Sequence, residues 1–391
     1  MMKLAGLTRR LGDDAANAWH VHSLACQKRD RGENVVMLSI GEEAGETTAP
    51  VIVESAIASL KSGRHHYSEV SGPRQLRDLI AERHKAMTRQ KVHADQCTVY
   101  AGAQNSLFAV AQCLLETGDE VILPEPYYTT YPGVFTCTGA TAVKVSGSAE
   151  NLFLSDIDAI ANAITEKTRA IVITQPGNPI GSFYRSADLQ KLVGICREKN
   201  IWLISDEVYS QLLSPRDRAS PASFDPDCSC VVTVNSLSKS NRMTGWRLGW
   251  AVTPKALADS LAELSMVMHY GMPPFITDAA ITAISEDTST TEEIRQSMNE
   301  RRAVAIEHLS KAQGVRLLDA GAGMFLVLDV SDSGLNAEEF ALRLLEDESI
   351  ATLPCTGFGN NCEHLLRLGL CVPTEQLAVA CQQLSRFTAS L

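Results

Sequence analysis

Short apolar runs rich in β-branched residues alternate with stretches of helical periodicity up to about residue 284. The runs predict strands at Gln96–Tyr100, Glu120–Leu123, Thr141–Val145, Ala170–Thr174, Ile201–Ser205, Val231–Val234 and Gly249–Val252. Helical patterns lie between several of them, for example at Ser106–Leu115 and Ala187–Lys199. Strands that alternate with helices favour a largely parallel, doubly wound α/β sheet covered on both faces. In such sheets, ligands bind beyond the carboxyl ends of the strands.

The pattern changes after about Ile284. A long charged helical stretch is followed by two strand–helix alternations, which indicates a second, smaller α+β unit. Its predicted elements are the helices Thr291–Ala312 and Ala337–Glu346, the strands Met324–Val330, Ala351–Leu353 and Leu365–Leu368, and a final helix. We therefore expect a large domain over residues 46–284, and a small domain formed by residues 1–45 together with residues 285–391.

Composition limits which kinds of partner, cellular location and metal site the protein can have. The chain has 391 residues, of which 45% are hydrophobic, and a formal net charge of -11, so nucleic acid and anionic membranes are poor partners. No apolar run is long enough to span a membrane, and the polar segment Met1–Asp14 lacks the core of a signal peptide, so we expect a cytoplasmic protein. The 11 cysteines include no C-x-x-C pair, which favours reduced thiols and no metal site.

The most informative motif is Asn235–Lys239, followed by Thr244–Gly249. A lysine taken alone is usually exposed to solvent. However, Ser-x-Ser-Lys followed by Gly-x-Arg-x-Gly resembles the cofactor-lysine motif of the class I/II aminotransferases, which are pyridoxal-phosphate (PLP) enzymes of fold type I. The resemblance implies that the amine of Lys239 forms an imine with the cofactor aldehyde. Ser236, Ser238 and Arg247 would then donate hydrogen bonds to the cofactor phosphate.

A second motif, Ile204–Tyr209, ends another apolar run. Asp206 alone could be a helix cap. The resemblance implies instead that Asp206 pairs with the pyridine nitrogen and keeps it protonated, which makes the ring an electron sink. It also implies that Tyr209 donates a hydrogen bond to the phenolate oxygen of the ring.

Two loops complete the expected cofactor site. The loop Gln175–Gly181 has turn-forming residues, and its Asn-Pro-x-Gly pattern resembles the loop whose asparagine, here Asn178, contacts the phenolate oxygen. In the family a cis bond often precedes the proline, here Pro179, and aims the asparagine inward. The loop Gly102-Ala103-Gln104 lies between a strand and a helix, where backbone N–H groups can bind an anion, and it resembles the phosphate cradle.

Two tyrosines extend the resemblance. Core packing is the ordinary explanation for the aromatic segment Pro124–Tyr131. In the family, the first position of Tyr-x-x-Tyr, here Tyr128, stacks on the pyridine. Tyr67 begins a motif whose tyrosine reaches the phosphate in the neighbouring subunit, which implies a homodimer with shared active sites.

The substrate would be bound by residues near both ends of the chain. Arg367, within Leu365–Gly369, matches the arginine that binds the α-carboxylate, although a structural salt bridge is the alternative. Gly41 matches the glycine whose backbone approaches the same carboxylate. These motifs occur in family order from Gly41 to Arg367, which covers nearly the whole chain.

The segment after Gly41 departs from the family pattern. The usual Gly-Glu/Asp-Pro-Asp-Phe is replaced by Gly41-Glu42-Glu43-Ala44-Gly45-Glu46, and Cys355 stands where glycine is usual. Other stretches (Ser205–Ser210, Asn235–Ser240 with Met243–Trp250, and Gly321–Val330) resemble the arginine–pyruvate transaminase branch. The resemblance implies a basic or long polar amino donor and a 2-oxo acid acceptor such as pyruvate. Glu42, Glu43, Glu46 and Asp278 are candidates to meet a cationic side chain, with a solvated acidic loop as the alternative.

The sequence therefore predicts an aminotransferase that moves the α-amino group of an L-amino acid to a 2-oxo acid. Lys239 would act as general base, with Asp206 and Tyr209 as the other catalytic groups. A PLP-dependent carbon–sulfur β-lyase shares the cofactor residues and stays open at this point. A DNA-binding regulator of the same fold would need a basic extension, and Met1–Gly41 is too short to supply one.

Overall fold

A computed structural model describes residues 2–11, 18–287 and 289–391. The predicted polar amino terminus Met1–Asp14 and the predicted small domain both include positions outside these ranges. The strands are β1 Val36–Met37, β2 Cys97–Tyr100, β3 Glu120–Glu125, β4 Thr141–Ser146, β5 Thr168–Thr174, β6 Trp202–Asp206, β7 Val231–Ser236, β8 Gly249–Val252, β9 Arg316–Leu318, β10 Phe325–Asp329, β11 Ile350–Ala351, β12 Leu353–Pro354 and β13 Leu365–Gly369.

Helices cover most of the intervening sequence. The α-helices are α1 His20–Asp30, α2 Pro50–Lys61, α3 Arg74–Thr88, α4 Ala103–Leu114, α5 Tyr131–Thr136, α6 Ile157–Asn162, α7 Ser186–Lys199, α8 Lys255–Met268, α9 Pro274–Ser285, α10 Thr290–Leu309, α11 Ala337–Glu348 and α12 Thr374–Ser390. Short 3₁₀ helices lie at Gly6–Arg9, Ala94–Gln96, Ala149–Asn151, Ser210–Leu212, Pro221–Phe224, Ser331–Ser333, Cys355–Phe358 and Asn360–Cys362.

The largest sheet has seven strands in the order β2-β8-β7-β6-β5-β3-β4. Only β8 runs antiparallel to its neighbours β2 and β7, and the other pairs are parallel. The doubly wound, mainly parallel sheet predicted from the sequence is therefore confirmed. Because β2, β5, β6 and β7 run in one direction, the segments that follow them meet at one edge of the sheet.

Alternation of side chains along the strands explains why both faces of this sheet are covered. On β5, Ala170 and Val172 pack in one buried cluster with Leu107 of α4, whereas Ile171 and Ile173 pack in another with Leu192 of α7. Successive residues of a strand point to opposite faces, so a run that is apolar at every position needs helices on both sides.

The carboxy-terminal part forms its own sheet, in the order β12-β13-β10-β9, with antiparallel pairs. A two-stranded parallel sheet joins β1 to β11 and so ties the amino-terminal segment to this part of the chain. The two larger sheets fall on either side of the predicted domain boundary, and the boundary itself stays a prediction.

Most predicted elements lie within a few residues of those observed, but two differ in a way that matters. The predicted strand Ala351–Leu353 is wrong as a single element, because its two ends belong to different sheets and the buried Thr352 lies between them. The helix predicted from Ser106 begins at Ala103, with Gly102 as its N-cap. This places the expected phosphate-binding residues on the first turn of the helix itself.

Within the described ranges, no helix combines the length and apolar character needed to cross a membrane. The same residues contain no group of three or more histidine, cysteine or acidic side chains arranged to hold a metal ion.

Candidate active site

A cavity of about 200 Å³ lies at the carboxyl edge of the seven-stranded sheet. The segments that follow β2, β5, β6 and β7 all contribute to its wall. Its lining residues are Ala103, Gln104, Leu107, Tyr128, Tyr131, Thr174, Asn178, Asp206, Val208, Tyr209, Ser236, Ser238, Lys239, Thr244 and Arg247. The fold thus brings together most of the residues that the sequence predicted for the cofactor.

Lys239 lies three residues beyond the end of β7 and points into this cavity. Its Nζ donates a hydrogen bond to the carbonyl oxygen of Gly41 at 2.7 Å and lies 5.9 Å from the centre of the Tyr209 ring. Burial lowers the pKa of Lys239, and the nearby guanidinium groups of Arg367 and Arg247 act in the same direction. A lowered pKa increases the fraction of free amine, which is the form that acts as a nucleophile or a base.

Asp206, the last residue of β6, is a buried carboxylate on the cavity wall. Burial raises the pKa of Asp206 to about 6, and hydrogen bonds to its carboxylate oppose this rise. These hydrogen bonds come from the Tyr131 hydroxyl at 2.8 Å and the Val208 N–H at 3.2 Å. A cationic ring nitrogen placed beside Asp206 would favour the ionised form.

Tyr131 is a site residue that the sequence analysis did not single out. Its hydroxyl bridges Asp206 and the Thr174 Oγ1 atom, the latter at 2.8 Å, and its ring is buried. The signal was present as the second tyrosine of Tyr-x-x-Tyr. The pattern alone could not show that this tyrosine, on α5, meets the end of β6.

The opposite end of the cavity is suited to an anion. Gly102 has a φ of +88°, and a Cβ atom there would lie 2.5 Å from Nη2 of Arg247, so the guanidinium lies directly against the glycine. Arg247 is held by a 2.7 Å hydrogen bond from its Nη1 to the Thr244 carbonyl. The first N–H groups of α4, from Ala103 and Gln104, lack intrahelical acceptors by the geometry of a helix start.

Two serine hydroxyls lie beside these donors. Ser236 ends β7 and is buried, and its Oγ accepts a hydrogen bond from the Ser238 N–H at 3.3 Å. Gln104 is positioned by Thr130, whose hydroxyl donates to its Oε1 atom at 3.0 Å. Hydroxyls, a guanidinium and a helix start together provide the donors that a phosphate dianion needs.

Aromatic rings and an asparagine form the middle of the cavity. Tyr128 packs edge-on against Tyr131, with ring centres 6.1 Å apart, and Tyr209 packs edge-on against Phe325 at 6.0 Å. The Asn178 Oδ1 atom accepts a hydrogen bond from Nη1 of Arg367 at 2.9 Å. The side chain of Asn178 thus links the cofactor-facing and substrate-facing sides.

The expected cis bond before Pro179 is wrong. The cis bonds of the described chain precede Pro126 and Pro176. Hydrogen bonds from the Gly177 N–H to the Ser182 carbonyl and from the Gly181 N–H to the Gly177 carbonyl, both 2.8 Å, close the turn that directs Asn178 inward.

Arg367, on β13, is 2% exposed and has no carboxylate partner among the described residues. Its Nη2 donates to the Ser39 carbonyl at 2.6 Å, and its guanidinium stacks on Phe325 with 4.1 Å to the ring centre. The structural salt bridge considered as an alternative therefore finds no partner here. A buried guanidinium that lacks an anion is a site for a carboxylate.

The segment after Gly41 lies beside Lys239. A Cβ atom on Gly41 would lie 2.6 Å from Cζ of Phe325, so only glycine allows this approach. Glu43 is buried and pairs with Arg242 at 2.8 Å and Arg301 at 3.2 Å. Glu42 instead accepts a hydrogen bond from the Thr244 hydroxyl.

The remaining candidate carboxylates differ from Glu42. Glu46 lies 3.9 Å from Arg242, and Asp278 pairs with Arg64 and accepts a 2.7 Å hydrogen bond from Ser59. Asp278 does not line the Lys239 cavity. Of the four candidates, Asp278 and Glu43 are therefore committed to structural ion pairs.

Tyr67 is not part of the cavity in a single chain. It is 87% exposed and packs against Tyr270, with ring centres 5.1 Å apart, in a separate surface hollow. Because its predicted role is in a neighbouring subunit, the role stays a prediction.

The sequence model of the aminotransferase class I and II family matches residues 33–384. The chain is a class I and II aminotransferase. An arginine–pyruvate transaminase of Pseudomonas aeruginosa is 42% identical over 390 residues, which covers 100% of this chain and 99% of the relative. A probable aspartate/prephenate aminotransferase of Aquifex aeolicus is 31% identical, with 93% of each chain covered. The predicted family and branch are thus confirmed.

Solved structures agree with this assignment. An aspartate aminotransferase of Thermus thermophilus with maleate superposes on the aminotransferase with a TM-score of 0.92 at 28% identity, covering 99% of this chain and 100% of the other. Since these relatives are aminotransferases, they favour amino transfer over the β-lyase alternative.

The class I and II aminotransferase family uses PLP. The residues of this aminotransferase fit that cofactor in three respects. They supply anion donors at Gly102 and Arg247, a buried acid at Asp206, and an amine at Lys239.

Proposed function

We propose that this aminotransferase transfers the α-amino group of L-arginine, or of another basic amino acid, to pyruvate or another 2-oxo acid, with PLP attached at Lys239. The observation that carries the proposal is that two cationic side chains without a carboxylate partner in the described part of the chain lie at one site, because Lys239 lines the cavity and Arg367 is hydrogen-bonded to Asn178 in the cavity wall. These are the amine of Lys239, whose pKa burial lowers, and the buried guanidinium of Arg367, which lacks a carboxylate partner among the described residues.

In this proposal, different residues of the cavity bind the ring and the phosphate of PLP. When bound, PLP supplies an aldehyde that condenses with amines and a ring that accepts electron density. Asp206 binds the cationic ring nitrogen, and the first turn of α4 with Ser236, Ser238 and Arg247 binds the phosphate. Tyr209 and Asn178 would donate hydrogen bonds to the phenolate oxygen of the ring, and Tyr128 would stack on the ring.

Arg367 and Lys239 act on the substrate. The guanidinium of Arg367 binds the α-carboxylate, with Asn178 and the Ser39 carbonyl holding its orientation. Lys239 Nζ takes the proton from the substrate α-carbon and returns it during the transfer. Gly41 has no side chain to fill the space beside Lys239, since a Cβ atom there would lie 3.7 Å from Nζ of Lys239.

The donor side chain is proposed from the relatives and from the segment after Gly41. The name of the Pseudomonas aeruginosa relative supports arginine as donor and pyruvate as acceptor. Glu42 lines a smaller hollow together with Lys239 and Thr244, and within the described residues it has no ion-pair partner. A guanidinium or ammonium group that reaches Glu42 would form a charge-assisted hydrogen bond.

Single-turnover absorbance measurements test the proposal. Purified holoenzyme is mixed with arginine, lysine, alanine or aspartate, and the conversion of the cofactor absorbance is followed for each. We expect arginine and lysine to convert the cofactor faster than the other two amino acids. Preference for alanine or aspartate would contradict the basic donor, and no conversion with any of them would contradict amino transfer.

The assembly and location are proposed separately. We infer a cytoplasmic homodimer in which Tyr67 of each chain reaches the neighbouring cavity. The exposed apolar side chains of Tyr67, Val267, Met266 and Tyr270 support a subunit contact on that surface. Light scattering that gives the mass of one chain would contradict the dimer, and cell fractionation tests the location.

A further inference from the structure

A second cavity, of about 410 Å³, opens where α3, the loop after Tyr209 and the start of α10 meet. It shares none of its lining residues with the Lys239 cavity. Its polar lining residues are Arg83, Gln211, Arg218, Asn241, Asp287, Thr291 and Glu292. Thr288, which follows Asp287 in the chain, lies outside the described residues.

Arg83, on α3, is half-buried and carries a charge that nothing nearby neutralises. Among the described residues it has neither a hydrogen bond nor an ion pair. Burial lowers the pKa of Arg83 to about 10, and the neighbouring charge of Arg218 lowers it further. A half-buried cation next to a like charge is costly unless an anion compensates it.

The guanidinium of Arg218 is held in place by hydrogen bonds, but it forms no ion pair with a carboxylate among the described residues. Its Nε donates to the Leu213 carbonyl at 3.0 Å and its Nη2 donates to the Gln211 carbonyl at 2.8 Å. Both acceptors are neutral, and within the described chain no carboxylate pairs with this guanidinium. Burial lowers the pKa of Arg218 as well. The two arginines are therefore held side by side in one cavity.

Two carboxylates also line the cavity, and both have other partners. Glu292 pairs with Arg295 and accepts a 2.9 Å hydrogen bond from Gln296. Asp287 accepts hydrogen bonds from Nδ2 of Asn241 at 2.9 Å and from the Thr290 N–H at 3.3 Å. Glu292 also interacts electrostatically with Arg218, so Arg83, Arg218 and Arg295 together face the two carboxylates Glu292 and Asp287, and one positive charge is left over.

We propose that this cavity binds a small oxyanion, a phosphate or a carboxylate, between Arg83 and Arg218. Guanidinium groups are planar donors that match such anions, and two of them here have donors without an anionic partner. The cavity also touches the segment that carries Lys239. Asn241 follows Lys239 by two residues, and the Thr291 hydroxyl donates to the Ser240 carbonyl at 2.9 Å. A bound anion would therefore lie next to the contacts between α10 and the loop that carries Lys239.

Binding is tested on holoenzyme whose cofactor has been fixed by borohydride, so that phosphate cannot enter the Lys239 cavity. Calorimetric titrations with sodium phosphate and with sodium malonate are compared with sodium chloride at equal ionic strength. We expect phosphate or malonate to bind and to raise the unfolding temperature by a few degrees more than chloride does. Because malonate can also bind at Arg367, the anion whose binding depends on Arg83 and Arg218 identifies the class, and the absence of binding beyond the chloride effect would overturn the proposal.

Two variants make the test specific to the arginines. Arg83→Gln and Arg218→Gln should each weaken anion binding about tenfold, whereas Arg29→Gln, at an exposed position of α1, should not. Without the anion, Arg83→Gln should unfold at the same or a higher temperature than the parent, because a half-buried charge has been removed. With the anion present, the parent should unfold at a higher temperature than Arg83→Gln.

Three results would contradict the proposal. One is unchanged anion binding in both cavity variants, and another is an equal loss in Arg29→Gln. The third is a change of oligomeric mass in Arg83→Gln or Arg218→Gln by light scattering, which would assign the arginines to a subunit contact.

Discussion

The cofactor-facing end of the Lys239 cavity and its substrate-facing end draw their residues from different parts of the chain. The first is built at the ends of strands that run in one direction in one sheet, as for Gly102, Asp206 and Ser236. The second combines the amino-terminal Gly41 with Arg367 of the carboxy-terminal sheet. This difference separates contacts to the cofactor from contacts to the substrate. Changes at the first end should affect all substrates equally. Changes at the second end should act on substrate binding, and only those that meet the side chain of the donor, as proposed for Glu42, should discriminate between substrates.

Removal of the amine should have the largest effect. Lys239→Ala should lower kcat/KM by about 10⁴-fold for every amino donor, because both the covalent anchor and the general base are lost. Steady-state rates with several donors check this. Lys255→Ala, which removes an exposed lysine of α8 that pairs with Asp259, should retain parental rates. Normal turnover by Lys239→Ala would refute the assignment.

Asp206→Asn should lower the rate by about 10³-fold for all donors, since a neutral amide does not keep a ring nitrogen protonated. The same change should stabilise the cofactor-free protein at high pH. The folded pKa of Asp206, about 6, lies above its ordinary value of 3.8, so the unfolded chain ionises first as the pH rises. The parent thus loses stability between about pH 4 and pH 6, by up to roughly 3 kcal/mol.

Thermal unfolding of cofactor-free Asp206→Asn should therefore show a gain over the parent at pH 8 and none at pH 4. Glu207→Gln is the matched control. Burial also raises the pKa of Glu207, to about 7, but its carboxylate accepts hydrogen bonds from Ser205 and Ser220 and does not line the cavity. This control should retain most of the activity. Equal losses in both variants would show that burial at this position, rather than contact with the cofactor, is what matters.

Arg367→Lys should act at the substrate end, with a loss of about 10² in kcat/KM, mostly through KM. A lysine ammonium does not reproduce the paired donors of the guanidinium that Asn178 and Ser39 orient. The cofactor absorbance of the variant should stay unchanged, because Arg367 does not contact the phosphate or ring-nitrogen end. A loss confined to kcat at an unchanged KM would contradict the carboxylate role.

The two ends also differ in how far the sequence alone reveals them. The cofactor end follows from local motifs, since Ser236, Ser238 and Lys239 are neighbours in the chain and the strand that precedes them is apolar. Tyr131 was not predicted as a site residue because its partner, Asp206, lies 75 residues away in sequence. Only the packing of α5 against the end of β6 brings the two residues together.

The residues at the substrate end could be distinguished only with knowledge of the fold. The sequence offered Glu42, Glu43, Glu46 and Asp278 as equivalent acids. Long-range ion pairs distinguish them, because Glu43 meets Arg301 of α10 and Asp278 meets Arg64. The split of Ala351–Leu353 between two sheets was likewise not predictable, because the pattern of a short strand does not specify which strand each of its ends pairs with.

Glu42→Gln should have the smallest effect on activity. It is also the variant that best separates selection of the donor from general catalysis. If Glu42 meets the cationic end of the donor, the change should lower kcat/KM for arginine about tenfold and leave alanine unaffected. Glu43→Gln provides the contrast. It breaks a buried pair with Arg242 and Arg301 and should destabilise the protein by about 3–5 kcal/mol, affecting all donors alike. Equal losses with arginine and alanine in Glu42→Gln would mean that its bond to Thr244 is structural, and that the donor's charge is recognised elsewhere.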